Sequence, residues 1–314
     1  MLKKYKSLIT IVLAALICCV IIFNSNEVVM DDSLNNTSVY DKEKTTTGNA
    51  NKSLEDDEDI HNQNHITMDM PKPAYRVIDN SEGIYGKENL EVYYASLVKP
   101  HIVMAEVQSD TKLYSQPSSG AEKLADVSVG EKVEILQDKT AKWYLVKFKD
   151  MEGWLPYSVL NIPPDSPVNT KLLNREDLEG FANYNEFESE TEYFIWVDID
   201  RQHTYVFKGS KDNWKIERVM PCATGCNKSP TTRGLFSIAD RGEWFYADQF
   251  QSGAKNWVRF NGTYLFHSVA MDRHKNVKEP ELGERITSGC VRLSVEDSRW
   301  IYENMPEGTA VWVN

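Results

Sequence analysis

The chain has 314 residues, 35 Lys and Arg against 47 Asp and Glu for a formal net charge of −12, 41% hydrophobic and 11% aromatic residues, and five cysteines. That length predicts two domains with extra segments, and the average composition excludes a disordered chain, a collagen-like chain and a multi-span membrane protein. The acidic balance argues against a broad basic face for nucleic acid, and the cysteines are too few for a disulfide-built scaffold.

The charge is unevenly placed. Residues 1–23 carry Lys3, Lys4 and Lys6 and no acid, residues 24–70 are strongly acidic, and the remainder is only mildly so. Ser7 to Phe23 is an uncharged apolar run directly after the lysines. As a helix it reaches about 25 Å, near the ~30 Å of a hydrocarbon core. No small-x-small cleavage site follows, so residues 1–23 are expected to be an uncleaved signal-anchor with its lysines in the cytoplasm; a cleaved secretory signal is the alternative. Cys18 and Cys19 lie in this run, but Ile17 does not suit a lipoprotein site. Residues 24–74 are expected to be a disordered acidic tether, because they hold too little apolar surface to offset the entropy of ordering. His61 and His65 in it have no further ligands nearby and read as solvated. The expected location is the cell membrane, single-pass, with everything downstream extracytoplasmic and facing the cell wall.

Residues 75–163 are expected to form a small barrel with an N-terminal extension, the part before residue 100 being undecided between a strand and a wrap. Ile102–Val107, Lys112–Tyr114, Lys132–Leu136, Trp143–Phe148 and Gly153–Leu155 read as five short strands, with turns at Gln116–Gly120, Val129–Glu131 and Lys149–Asp150. The run LYSQPSSG, VSVGEKVEIL, KWYLVKF and EGWLPYSVL resembles a bacterial SH3 domain. That resemblance implies a module that binds cell-wall peptides or positions a neighbouring catalytic domain; a spacer without a ligand is the alternative.

Residues 164–192 are expected to be a linker with a short helix, Arg175–Tyr184, capped by Asn174. From residue 193 to 314 the chain is strand-rich: YFIWVDID, HTYVFKG, WKIERVMPC, GLFSIAD and WVRFNGTYLFHSV. A helix over Val295–Asn304 capped by Ser294 and a final strand Ala310–Val313 complete the pattern.

The candidate chemistry lies near the end of this region. His267 closes a strand read as Trp257–Phe266, and Thr287-Ser288-Gly289-Cys290-Val291-Arg292-Leu293 follows. A cysteine after glycine, with arginine two positions on, suits a nucleophile at a tight turn whose N–H groups form an oxyanion site. A nearby imidazolium and guanidinium are expected to lower the thiol pKa and populate the thiolate. A buried structural cysteine with an unrelated histidine is the alternative on residue types alone.

Three stretches carry a family resemblance: Ala223-Thr224-Gly225 with Ser229-Pro230-Thr231-Thr232-Arg233-Gly234-Leu235-Phe236, the strand end Tyr264–Ser268, and Ser288–Leu293. Together they make residues 193–314 similar to the catalytic domain of the L,D-transpeptidases (YkuD-like). The resemblance implies a mostly β protein, an SH3-like barrel and then a β-rich YkuD-like domain, here behind the membrane helix and disordered tether expected above. It implies a peptidoglycan enzyme that forms 3→3 cross-links between donor and acceptor stem peptides through a cysteine thioester, without metal or other cofactor, and that carbapenems acylate. Cys290 would be the nucleophile and His267 its base, with Arg292, Gly289, Ser288 and Ser268 supporting substrate or oxyanion. Ser288 stands where many members have histidine.

L,D-carboxypeptidase action, D-amino-acid exchange and an inactive wall-binding adaptor remain as alternatives. Chain order excludes NlpC/P60-type peptidases, which run Cys then His, and sortases separate Cys and Arg widely. His274 reads as a surface residue. Cys222 and Cys226 read as free thiols, since no further zinc ligands are near; a disulfide between them is the alternative.

Overall fold

A computed structural model describes residues 87–314. The expected anchor and tether, and the start of the expected SH3-like region, lie outside the described residues. Among the described residues no helix is long and apolar enough to cross a membrane.

The first described element is a helix, α1 (Lys87–Leu97), where the sequence left a strand or wrap open. Leu90, Val92 and Tyr93 are exposed, so no continuous apolar stripe announces this helix. It is held instead by tertiary contact, with the Tyr94 ring 5.8 Å from that of Phe181 and 5.1 Å from that of Tyr184.

Seven strands follow: β1 (Val103–Val107), β2 (Thr111–Tyr114), β3 (Lys123–Val127), β4 (Lys132–Lys139), β5 (Trp143–Phe148), β6 (Met151–Pro156) and β7 (Leu160–Asn161). They form one antiparallel sheet in the order β3-β2-β6-β5-β4-β1-β7. The period-2 alternation turns Val103, Ala105 and Val107 of β1 and Tyr144, Val146 and Phe148 of β5 into a shared core with Leu113 and Leu155. Five of these strands are expected from the sequence; β3 and β7 are the additions. β3 is an edge strand that buries only Val127, so pairing with β2 defines it rather than an apolar pattern.

Beyond the prolines at 163–164, α2 (Arg175–Tyr184) starts where expected, Asn174 Oδ1 accepting from Asp177 N at 2.7 Å. The domain it joins comprises β8 (Tyr193–Asp198), β9 (His203–Lys208), β10 (Lys215–Pro221), β11 (Thr224–Gly225), β12 (Gly234–Ser237), β13 (Arg241–Ala247), β14 (Ser252–Asn261), β15 (Tyr264–Ser268), β16 (Ala270–Met271), β17 (Val277–Glu279), β18 (Arg285–Thr287), β19 (Val291–Leu293), α3 (Val295–Asn304) and β20 (Ala310–Val313). One sheet runs β10-β9-β8-β20-β12; a second runs β17-β16-β14-β15-β19 with β13 paired to β14.

β8 is buried on both faces, which is why it reads as a continuous apolar run. Ile195 and Val197 face the second sheet and α3, meeting Phe266, Val291, Leu293, Ile301 and Val311. Phe194 and Trp196 face the other way onto Leu178, Phe181 and Ala182 of α2 and onto Trp214. The short helix of the expected linker thus packs into this second core. The single strand expected over Trp257–Phe266 is a hairpin: Gly262, at φ +48°, and Thr263 turn the chain between β14 and β15. That turn brings His267 within a short strand lying between β14 and β19.

Candidate active site

β15 and β19 are parallel neighbours, pairing Phe266 with Val291, His267 with Arg292 and Ser268 with Leu293. Side chains alternate across the sheet, so Phe266, Val291 and Leu293 enter the core while His267 and Arg292 share the opposite face. Cys290, one step before β19, lies at the start of that face: its Sγ donates to Thr263 O at 3.7 Å.

The turn that presents Cys290 has a specific chemistry. Gly289 has φ +108°, and a Cβ there would stand 2.7 Å from Tyr264 Cε1, so the position admits only glycine. Two threonine hydroxyls pin the turn. Thr287 Oγ1 donates to Cys290 O at 2.6 Å and accepts from Gly289 N at 3.2 Å. Thr231 Oγ1 donates to Gly289 O at 2.7 Å and accepts from Gly225 N at 2.9 Å. The Gly289–Cys290 peptide is trans, so its N–H points opposite to the carbonyl that Thr231 holds. That Cys290 N–H has no hydrogen-bond partner among the described residues, and is free to receive a negative oxygen.

His267 is buried, with its Nδ1 2.6 Å from Ser268 O and the Phe245 ring edge-on at 5.7 Å. A carbonyl only accepts, so Nδ1 carries the proton and Nε2 keeps its lone pair. Burial lowers the imidazole pKa to about 4, with the Arg292 charge adding to that and the Ser268 hydrogen bond opposing it. Cys290 is half-buried, and its desolvation likewise pushes the thiol up to about 11, against a hydrogen bond at the Leu265 backbone and the Arg259 charge. No hydrogen bond joins Cys290 to His267 among the described residues. The expected low-pKa thiolate is therefore corrected. The imidazole is neutral, and the charge that does reach the thiol, that of Arg259, is outweighed by desolvation; the resting pair is thiol and neutral imidazole.

Arg292 is buried and donates from Nη2 to Glu279 Oε2 at 3.0 Å, while its Nε and Nη1 have no partner among the described residues. Its backbone N and O bond to Ala223 O and N, which fixes the far edge of β19. Ser288 is exposed beside the turn. Ser268 is fully buried, its hydroxyl accepting from Lys255 N and donating to Val269 O; what it offers His267 is its carbonyl, and its side chain does not reach the cleft. His274 is exposed, Cys222 is buried and Cys226 half-buried, and both cysteines are free. Among the described residues no group of three His, Cys, Asp or Glu is placed to hold a metal. Thr231, Thr287 and Glu279 carry no signal of their own in the sequence, although Thr231 and Thr287 sit inside the motifs.

Two protein families match this chain. The L,D-transpeptidase catalytic domain family (YkuD) matches residues 192–313, and the bacterial SH3 domain family matches residues 109–161. A Bacillus subtilis (strain 168) relative, named "Putative L,D-transpeptidase YciB", is 34% identical over 131 residues, covering 38% of this chain and 66% of its own length. Among solved structures, a Clostridium acetobutylicum ATCC 824 protein, described as a fused Zn-dependent amidase/peptidase/peptidoglycan-binding domain-containing protein, is 30% identical with a TM-score of 0.39, over 47% of this chain and 66% of that one. An L,D-transpeptidase from Stackebrandtia nassauensis is 22% identical with a TM-score of 0.31, over 41% of this chain and 58% of that one. Residues 192–313 are thus an L,D-transpeptidase catalytic domain of the YkuD family, preceded at residues 109–161 by a bacterial SH3 domain.

Proposed function

We propose that the protein is a peptidoglycan L,D-transpeptidase that builds 3→3 cross-links through a thioester on Cys290. The observation that carries the reading is the turn itself. It presents the Cys290 thiol on the face that His267 shares, with the Cys290 N–H left unpartnered where an oxyanion would form. His267, with Nε2 unprotonated, would take the thiol proton as Sγ attacks the carbonyl preceding the terminal D-residue of a tetrapeptide stem. The C–N bond to that D-residue breaks, its nitrogen receives the proton from His267, and the D-amino acid leaves. An amine of a second stem then attacks the thioester, the S–C bond breaks, and the thiol is regenerated.

Because the resting pair is neutral, proton transfer and attack are coupled in this scheme, and bound substrate must bring Sγ from Thr263 O to His267. Arg292, buried beside His267 with Nε and Nη1 unpartnered among the described residues, is suited to orient a substrate carboxylate. The uncharged run Ser7–Phe23 supports a membrane-anchored, extracytoplasmic enzyme, testable by fractionating cells that express the full chain.

The deciding assay incubates the full chain with disaccharide-tetrapeptide and reads products by mass spectrometry. A cross-linked dimer with loss of D-Ala supports transpeptidation. Tripeptide alone assigns the thioester to water, exchange of the terminal residue assigns it to a free D-amino acid, and retained sacculus binding without turnover leaves a wall-binding adaptor. Cys290→Ala abolishes turnover and any carbapenem adduct; persistence of either removes Cys290 from the nucleophile's role.

A further inference from the structure

The loop 226–233, between β11 and β12, touches two parts of the molecule at once. On one side it is gripped by the SH3-like sheet. Tyr144 Oη donates to Lys228 O at 2.7 Å, Ser229 Oγ donates to Asp138 Oδ1 at 2.6 Å, and Arg233 is ion-paired with Glu134. The segment after that sheet adds to the grip, with Asn227 Nδ2 donating to Pro163 O and Pro164 O at 3.2 and 3.0 Å. On the other side Thr231, 3% exposed, reaches Gly289 O through its hydroxyl. The only residue between that carbonyl and the thiol is Cys290 itself.

A peptide plane rotates as one unit, so the direction of Gly289 C=O sets the direction of Cys290 N–H. Gly289, at φ +108°, cannot hold that plane by itself, because glycine is the residue with most backbone freedom. The holding group is the Thr231 hydroxyl, tied in turn by Gly225 N. We infer that Thr231 is a positioning residue for the oxyanion-binding N–H of Cys290, and that the SH3-like module holds Thr231 in place by gripping residues 227–233. The inference rests on the acyl-transfer reading above. It gives the module a task within catalysis that is independent of any wall ligand.

Two reactions at the same sulfur separate this role from a general structural one. Iodoacetamide is attacked at a saturated carbon: an S–C bond forms, iodide leaves and no oxyanion develops. A carbapenem is attacked at its β-lactam carbonyl: the ring C–N bond opens, a thioester forms, and the oxygen carries charge on the way. Both rates are measured on the full chain by intact-protein mass spectrometry. Thr231→Val, nearly isosteric but without the hydroxyl, slows carbapenem acylation by about 10- to 100-fold, below or at the edge of the ~10²–10³ cost of deleting an oxyanion donor, and leaves alkylation unchanged. Thr231→Ser restores acylation. The double variant Tyr144→Phe/Ser229→Ala lowers acylation in the same direction, again with alkylation retained.

Equal loss of both rates in Thr231→Val, or acylation at the wild-type rate, overturns the positioning role. Wild-type acylation in the double variant removes the module from it. If Thr231→Val does not fold, a Thr231→Ser variant that acylates as slowly as its own unaided turn would, without recovery to wild type, also overturns the role, and the double variant still tests the module. A wild-type protein that is alkylated but never acylated refutes the parent reading instead.

Discussion

The neutral resting state of the Cys290–His267 pair makes a quantitative claim about thiol reactivity. With the Cys290 pKa at about 11, only about 10⁻⁴ of the thiol is ionised at pH 7, against about 3% for an unperturbed cysteine near 8.5. Alkylation by iodoacetamide at pH 7 is therefore expected about 300-fold slower than for an exposed cysteine, before any gain in intrinsic nucleophilicity. The rate should rise about tenfold per pH unit through pH 9, because the ionised fraction does so while pH stays below the pKa. His267, held neutral with a pKa near 4, adds no inflection between pH 5 and 9. The measurement is the rate of Cys290 mass addition across that range, with Cys222→Ser/Cys226→Ser removing competing thiols in the described domain. His267→Ala should leave this alkylation profile in place while abolishing acyl transfer. A plateau reached below pH 8, lost in His267→Ala, would be the signature of a thiolate–imidazolium pair and would refute the argument from burial.

Other outcomes follow from single residues. The buried neutral His267 has its pKa depressed from 6.5 to about 4, so the unfolded chain binds one more proton between these values and stability falls as pH drops through that window. The full effect is about 3 kcal/mol, read as a fall in melting temperature between pH 6.5 and 4 that is smaller in His267→Asn. Gly289→Ala meets both a positive φ and the Tyr264 ring, so it should cost about 1–3 kcal/mol in thermal or chemical denaturation and abolish carbapenem acylation. Asn174→Ala removes the cap of α2 and should cost about 1 kcal/mol in denaturant unfolding without changing acylation, since α2 lies on the face of the first sheet away from Cys290.

Much of this architecture is legible in residue order because local and global preferences agree. Asn174 and Ser294 cap helices where their side chains can accept from the third following N–H, and β5 alternates along its whole length. The Gly289-Cys290 turn and His267 are legible for a similar reason, since the chemistry restricts residue type at each position. What is not legible depends on partners distant in sequence. α1 shows no stripe because it is attached through a few scattered contacts, Tyr94 and Leu97 on the second core and Tyr93 Oη to Asp177, and β3 is made by the hydrogen bonds of β2. The Trp257–Phe266 run looks like one strand because Gly262-Thr263 interrupts it without disturbing the apolar pattern on either side. The thiol pKa is not legible because residue types show which charges are near but not that desolvation outweighs them at Cys290 and keeps His267 neutral. Thr231 is invisible as a positioning residue because nothing in a sequence says which carbonyl a hydroxyl will find.

The placement of β20 has a consequence for how the domain is completed. It sits between β8 and β12 and pairs in parallel with β8, so β8, which pairs first with β9, gains its second neighbour only when Ala310–Val313 arrives. Such long-range parallel pairing is slow, because the intervening loop must close before any contact rewards it. Until then Phe236 and Val311 cannot meet, and the core shared by β8, the second sheet and α3 lacks Val311 and Val313. A chain emerging N-terminus first therefore carries its thiol out before this core is closed. The first sheet is completed by the last strand of the domain.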